Sequence, residues 1–170
     1  AQCASTVKKI SLELGGNAPF IVFDDADIEE AVTHCVSTKF RNCGQTCVCT
    51  NRIFVHEAVA AEFTEKLQHS IAALKVADGF EEGAEIGPLI NTQALEKMDT
   101  LMADALDKGA KVLLGGARHK LGQNFFQPTL LSNISDSMRL ANEEIFGPIA
   151  AVQTFTTEGE VVAKANATEY

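Results

Sequence analysis

No stretch of this 170-residue chain approaches the ~18 consecutive apolar residues of a membrane-spanning helix. The opening Ala1-Gln2-Cys3-Ala4-Ser5 lacks the charged-then-apolar layout of a secretory leader. Surplus positive charge is missing too. Asp and Glu number 23 against 14 Lys and Arg, a net charge of −9, so nothing is available to displace counterions from a phosphate backbone. Neither nucleic acid nor membrane is an expected partner, and the chain reads as an intracellular protein of the cytoplasm or mitochondrial matrix. A disulfide framework is lacking as well: the cysteine count, five, is odd, and Cys43, Cys47 and Cys49 crowd together where a framework would space them out. Structural zinc needs four ligands in separated pairs, and no cysteine follows Cys49, so no metal is expected. Finally, no Gly-x-Gly-x-x-Gly or Gly-x-x-x-x-Gly-Lys run occurs, which leaves no sequence signal for a loop that cradles cofactor phosphates.

What is present fits one globular domain. Hydrophobic residues make up 46% of the chain and charged ones 22%, enough for a sizeable core, and there is no repeat or linker. Val7 to Leu14 and Phe20 to Phe23 read as short strands on either side of a double-glycine turn. Asp27 and Glu30 resemble a capping box before a helix whose buried stripe is Ile28, Ala31, Val32, Cys35, Val36 and Phe40. Arg52 to His56 reads as a strand. Val59, Phe63, Leu67, Ile71 and Leu74 mark a second helix, and Leu95, Met98, Met102, Ala105 and Leu106 a third that Gly109 stops. Further strands are expected at Lys111 to Leu114, Gln127 to Leu131 and Ile149 to Phe155, then a last helix from Glu158. The acidic, glycine-bearing stretch from Gly79 to Pro88 reads as a surface loop. Helices alternating with apolar strands imply an α/β fold: three layers, with a mostly parallel sheet covered by helices.

Chemistry concentrates in Arg41-Asn42-Cys43-Gly44-Gln45-Thr46-Cys47-Val48-Cys49, which packs thiols, two carboxamides, a glycine and a guanidinium into nine residues. It reads as the loop of a cysteine nucleophile. Upstream, Leu12-Glu13-Leu14-Gly15-Gly16 sets one carboxylate beside a double glycine. A thiolate attacks, and a carboxylate on a separate loop suits activation of a water in a second step, so two half-reactions are suggested.

Three ordered blocks, Glu13-Leu14-Gly15-Gly16, Gly44-Gln45-Thr46-Cys47 and Glu143-Glu144-Ile145-Phe146-Gly147-Pro148, resemble the signature blocks of the aldehyde dehydrogenase superfamily. Phe40-Arg41-Asn42, Cys47-Val48-Cys49, Ile86-Gly87-Pro88-Leu89-Ile90 and Asn124 to Thr129 are most similar to its succinate-semialdehyde dehydrogenase branch. The resemblance covers essentially the whole chain. It implies a catalytic domain, residues 1–170, cut at both ends from a longer protein whose Rossmann-type cofactor domain lies elsewhere.

That resemblance implies roles. Cys47 would attack the aldehyde carbon, and Glu13 would activate the water that hydrolyses the resulting acyl-thioester. Glu144 would hold the nicotinamide ribose and Phe146 would pack beside the nicotinamide of NAD or NADP. One oxyanion donor would be the backbone N–H of Cys47, the other a side-chain amide outside this chain. Arg41, six residues before Cys47, would clamp a substrate's distal carboxylate with its guanidinium fork. An unperturbed cysteine is mostly protonated at neutral pH, so the loop must supply positive potential or donors, and Arg41 and loop amides are the available groups. The Cys47–Cys49 spacing suggests a reversible disulfide that blocks the nucleophile. A small-molecule aldehyde and further copies of the chain are the expected partners. Two other readings stand beside this one: a cysteine hydrolase of thioesters or amides using Cys47 with a histidine, and a folded but inactive segment of a dehydrogenase.

Overall fold

In the computed structural model, which describes residues 3–170, five strands form one sheet in the order β1-β2-β5-β4-β3. The strands are β1 (Ala18–Val22), β2 (Thr50–His56), β3 (Lys111–Leu114), β4 (Thr129–Ser132) and β5 (Ile149–Phe155). The pairs β1–β2, β2–β5 and β4–β5 are parallel, with Val22 opposite Val55 and Ile53 opposite Val152, and only the edge strand β3 runs antiparallel to its neighbour. Parallel strands must be covered on both faces. β2 accordingly is buried along nearly its whole length, with Ile53 and Val55 in the main core and Phe54 on the opposite face with Phe155.

The covering helices follow from the apolar spacing. α1 (Ile28–Phe40) and α2 (Glu57–Ala72) bury Val32, Cys35 and Phe40, and Phe63, Leu67 and Ile71, on the main core. α3 (Thr92–Asp107) adds Leu95, Met98, Leu101, Met102 and Ala105 to the same core. α5 (Glu158–Asn166) sends Val161 to the smaller cluster on the other face, against Phe54 and Phe155. Caps fix where helices begin: the side chains of Asp27 and Asn91 accept the backbone N–H of Glu30 at 3.0 Å and of Ala94 at 2.9 Å. Gly109 ends α3 with φ 91°.

Two features depart from the sequence reading. The expected strand Val7 to Leu14 does not form; after a short 3₁₀ turn at Ala4–Thr6 the chain runs irregularly, with Ile10, Leu12 and Leu14 exposed. Its alternation of apolar residues suits a strand, but pairing needs a neighbour, and none of the described strands takes it up. A one-turn helix, α4 (Arg139–Asn142), also appears in the connection between β4 and β5, too short to announce itself by periodicity. No helix among the described residues is long and apolar enough to cross a membrane.

Candidate functional site

α1 ends at Phe40, and the chain turns through Arg41–Gly44 before entering β2. Asn42, Cys43 and Gly44 all take the left-handed backbone, with φ of 51°, 58° and 74°. Such a run is disfavoured for non-glycine residues, although asparagine tolerates it better than most. The two carboxamides noted in the sequence hold it. Asn42 Nδ2 donates to the Gln45 carbonyl at 3.0 Å, and Gln45 Oε1 accepts the N–H of Ile90 at 2.8 Å. Gly44 is required for contact as well as for its φ, because a Cβ there would stand 2.2 Å from the Gly147 carbonyl oxygen. The turn therefore presses against the third motif and leaves Cys47 exposed at its tip.

The Gly15–Gly16 pair serves approach rather than turning. Neither glycine is among the positive-φ residues, but a Cβ on Gly16 would lie 2.5 Å from the Cys47 carbonyl oxygen and one on Gly15 2.9 Å from Glu144 Oε2. With both β-carbons absent, Gly16 N–H donates to Glu144 Oε1 at 3.0 Å. Glu144 is gripped a second time through its backbone, whose carbonyl accepts Lys97 Nζ at 2.6 Å. Phe146, the next residue but one, takes a left-handed φ of 54°, and Gly147 fits under Met98, whose sulfur would be 2.3 Å from an added Cβ.

These three segments bring Glu13, Leu14, Gly15, Gln45, Thr46, Cys47, Glu144 and Phe146 around one cleft of about 430 Å³. That size takes a small substrate beside one ring system. The Cys47 thiol, the carboxylates of Glu13 and Glu144 and the Phe146 ring thus face a common space. No histidine lines it. Arg41 is set apart: it borders a neighbouring cleft of about 330 Å³ with Ser37, Thr38, Val48 and Cys49, and Thr46 lines both. Arg41 also reaches a broader groove of about 650 Å³ between α1 and α2, which carries no nucleophile. Among the described residues no group of three His, Cys, Asp or Glu side chains is placed to hold a metal ion.

The cysteines separate by environment. Burial pushes the thiols of Cys35 and Cys43 up to about 12, with the nearby Lys39 ammonium opposing it, so both stay protonated. Cys49 is buried, its Sγ 3.8 Å from the Arg41 carbonyl, while Cys47 alone in this loop is open to solvent.

Several supporting residues carried no signal in the sequence. Asn51 on β2 donates through Nδ2 to Asn17 Oδ1 at 2.6 Å and to the Glu143 carbonyl at 2.9 Å, and its Oδ1 accepts Ile145 N–H at 2.8 Å. Arg52 donates to the Asn17 carbonyl from Nε at 3.0 Å and to the Lys164 and Ala165 carbonyls at 2.9 Å. One strand thereby ties the glycine segment, the Glu144 segment and the end of α5 together. Lys39, in the last turn of α1, is buried with 1% of its surface exposed. Polar residues inside a strand or an otherwise apolar helix face read from sequence as solvated; only the fold reveals them as buried.

Known proteins resemble this chain in sequence and in fold. A family model described as the aldehyde dehydrogenase family matches residues 1–170. The chain is 52% identical over 169 residues to succinate-semialdehyde dehydrogenase [NADP(+)] GabD of Escherichia coli (strain K12), covering 99% of this chain and 35% of that protein. It is also 52% identical over 169 residues to 3-sulfolactaldehyde dehydrogenase of Pseudomonas putida, with the same coverage of 99% and 35%. The crystal structure of succinate-semialdehyde dehydrogenase from Burkholderia pseudomallei superposes with a TM-score of 0.96 at 55% identity, over 99% of this chain and 35% of that one. The chain thus spans about a third of the length of the relatives it matches, 35% in each case.

Proposed function

Because this chain belongs to the aldehyde dehydrogenase family, we propose that the protein carrying it oxidises a small aldehyde, succinate semialdehyde to succinate, with NAD or NADP as electron acceptor. One observation carries the reading: Cys47 and Glu13 line a single cleft with Glu144 and Phe146.

The cleft suits a nicotinamide nucleoside. Glu144 uses Oε1 for the Gly16 N–H and keeps Oε2 to accept from a hydroxyl. The half-buried Phe146 ring forms a wall of the same cleft. Glu144 and Phe146 would hold a nicotinamide, which would supply the acceptor for the hydride that leaves the substrate carbon. The chain's own residues do the rest. Cys47 Sγ adds to the aldehyde carbon, the carbonyl electron pair moves onto oxygen, and the Cys47 backbone N–H donates to that oxyanion. After oxidation the acyl group remains on sulfur as a thioester. Glu13 then takes a proton from a water whose oxygen adds to the thioester carbon, and the carbon–sulfur bond breaks to release acid and thiolate.

For the substrate, we take Arg41 as the clamp on a distal anionic group, reached across Thr46, which borders both clefts. The two named relatives fit this: succinate semialdehyde and 3-sulfolactaldehyde are both aldehydes with an anionic far end. Cys49 is read as a redox partner of Cys47, and pairing requires its Sγ to leave the Arg41 carbonyl. Peroxide should block Cys47 reversibly by reductant, and an unchanged block in Cys49→Ala would reject the pairing. The reading extends to an oligomer of the intact protein in a reducing compartment, cytoplasm or mitochondrial matrix, consistent with five free thiols.

The decisive variant is Glu13→Gln in the intact protein. It should give a burst of NAD(P)H about equal to the enzyme present and then turn over at least ~100-fold more slowly, whereas Cys47→Ser gives no burst. Arg41→Ala should lose about 2 to 5 kcal/mol of preference for succinate semialdehyde over a neutral aldehyde of equal length. A burst in Cys47→Ser, or equal rates for both aldehydes with Arg41 intact, rejects the corresponding assignment.

A further inference from the structure

Asparagine is depleted in strands, where a valine packs better, yet Asn51 is buried near the start of β2, before the pairing with β5 begins at Ile53. A buried carboxamide is costly unless its polar atoms find partners. Here they do, and the partners are the backbone around Glu144. Residues 143–148 belong to no helix or strand, so the buried polar groups of this stretch need partners from elsewhere. Asn51 Nδ2 donates to the Glu143 carbonyl at 2.9 Å, and its Oδ1 accepts the Ile145 N–H at 2.8 Å. One side chain thus grips the residues on both sides of Glu144. Nδ2 also donates to Asn17 Oδ1 at 2.6 Å, and Asn17 follows Gly16, whose N–H donates to Glu144 Oε1 at 3.0 Å. These bonds close a ring: Asn51 reaches the Glu144 carboxylate by way of Glu143 on one side and by way of Asn17 and Gly16 on the other.

A carboxylate that must meet a ligand hydroxyl binds best when its place is set before the ligand arrives, because ordering it afterwards is subtracted from affinity. Glu144 stands on an irregular connection and needs such support from outside. Lys97 supplies part of it from α3 by donating to the Glu144 carbonyl at 2.6 Å. We infer that Asn51 is a positioning residue of this site: its carboxamide sets the Glu144 carboxylate for a nicotinamide ribose by holding the backbone on both sides of Glu144 and, through Asn17, the glycine segment that bonds to it. The inference rests on the reading of Glu144 as the group that holds the ribose.

Calorimetric titration of the intact protein with NAD+ and with NADP+ reads this without any turnover, in wild type, Asn51→Ala, Glu144→Ala and the double variant. Asn51→Ala should raise the cofactor Kd at least about fivefold. Residues that share one hydrogen-bond network do not act additively, so in the Glu144→Ala background the same substitution should raise Kd less than about twofold. An amide that served stability alone would lower Tm and act equally in both backgrounds. Equal Kd for wild type and Asn51→Ala, or the same factor with and without the Glu144 carboxylate, overturns the inference and leaves the ribose reading standing if Glu144→Ala itself weakens binding. Unchanged binding in Glu144→Ala removes the ribose reading and this inference with it. If Asn51→Ala does not fold, amide exchange in the wild-type protein decides. The Ile145 N–H, outside any strand but bonded to Asn51, should exchange more slowly once the cofactor is bound, and a rate that the cofactor leaves unchanged overturns the inference equally.

Discussion

Added at Gly16, a methyl group would sit 2.5 Å from the Cys47 carbonyl oxygen, a backbone atom with no flexible end to yield. Gly16→Ala should therefore push the glycine segment and the nucleophile loop apart, stretching the hydrogen bond from Gly16 N–H to Glu144. Overpacking of this kind costs about 1 to 3 kcal/mol, and the cleft should suffer more than the fold. Thermal unfolding and cofactor KM together check it: a lower Tm with KM raised is expected, and an unchanged KM would show that the contact does not shape the site. The sequence places a double glycine beside Glu13 but reads it as a turn; the close approach to Cys47 and Glu144 belongs to the tertiary fold. The same division runs through the other site residues. Cys47, Glu13, Glu144 and Phe146 are legible because each stands in a short motif. Asn51, Arg52 and Lys39 are not, since a polar side chain shows its burial only once the elements around it are packed.

At the scale of elements, apolar periodicity and caps locate α1, α2 and α3 and the strands β2 to β5, because those signals are local. The segment from Val7 to Leu14 has an equally good strand pattern and does not pair, because strand formation depends on an edge contributed from elsewhere in space. α5 offers a pH test of local stability. At its start Glu160 Oε2 accepts the Thr156 backbone N–H at 2.9 Å and the Thr156 hydroxyl at 3.0 Å, and Lys164 pairs with Oε1 at 3.0 Å. These contacts, the backbone hydrogen bond first, hold its carboxyl down from 4.5 to about 2. The folded value lies below the unfolded one, so the stabilisation is complete above 4.5 and is lost as pH falls through about 2. Amide exchange at Thr156 should accelerate across that window in wild type and be fast throughout in Glu160→Gln. A flat profile in wild type would reject the assignment.

For the whole molecule, the arrangement supplies a thiol, the carboxylate proposed to activate water and the ribose and ring contacts proposed for a nicotinamide, all in one cleft. It supplies no glycine-rich phosphate cradle in its sequence, and the proposed oxyanion site has a single donor, the Cys47 N–H. The relatives that share this fold are about three times as long, since the chain spans 35% of each. Ile10, Leu12 and Leu14 stand 63%, 65% and 69% exposed on the segment that carries Glu13, so that carboxylate sits on the least supported part of the cleft. Without further contacts, Glu13 lacks the rigid support that its proposed proton transfer from a positioned water demands. We therefore expect these 170 residues alone to produce no NAD(P)H from any aldehyde, although Cys47, exposed on a loop held by Asn42 and Gln45, should still react with a thiol reagent. Both readings can be taken on one sample, by absorbance of the reduced cofactor and by mass of the alkylated peptide. Aldehyde-dependent NAD(P)H from the isolated chain would mean that the cleft is complete as it stands, and that the base needs no support beyond the Gly15–Gly16 segment.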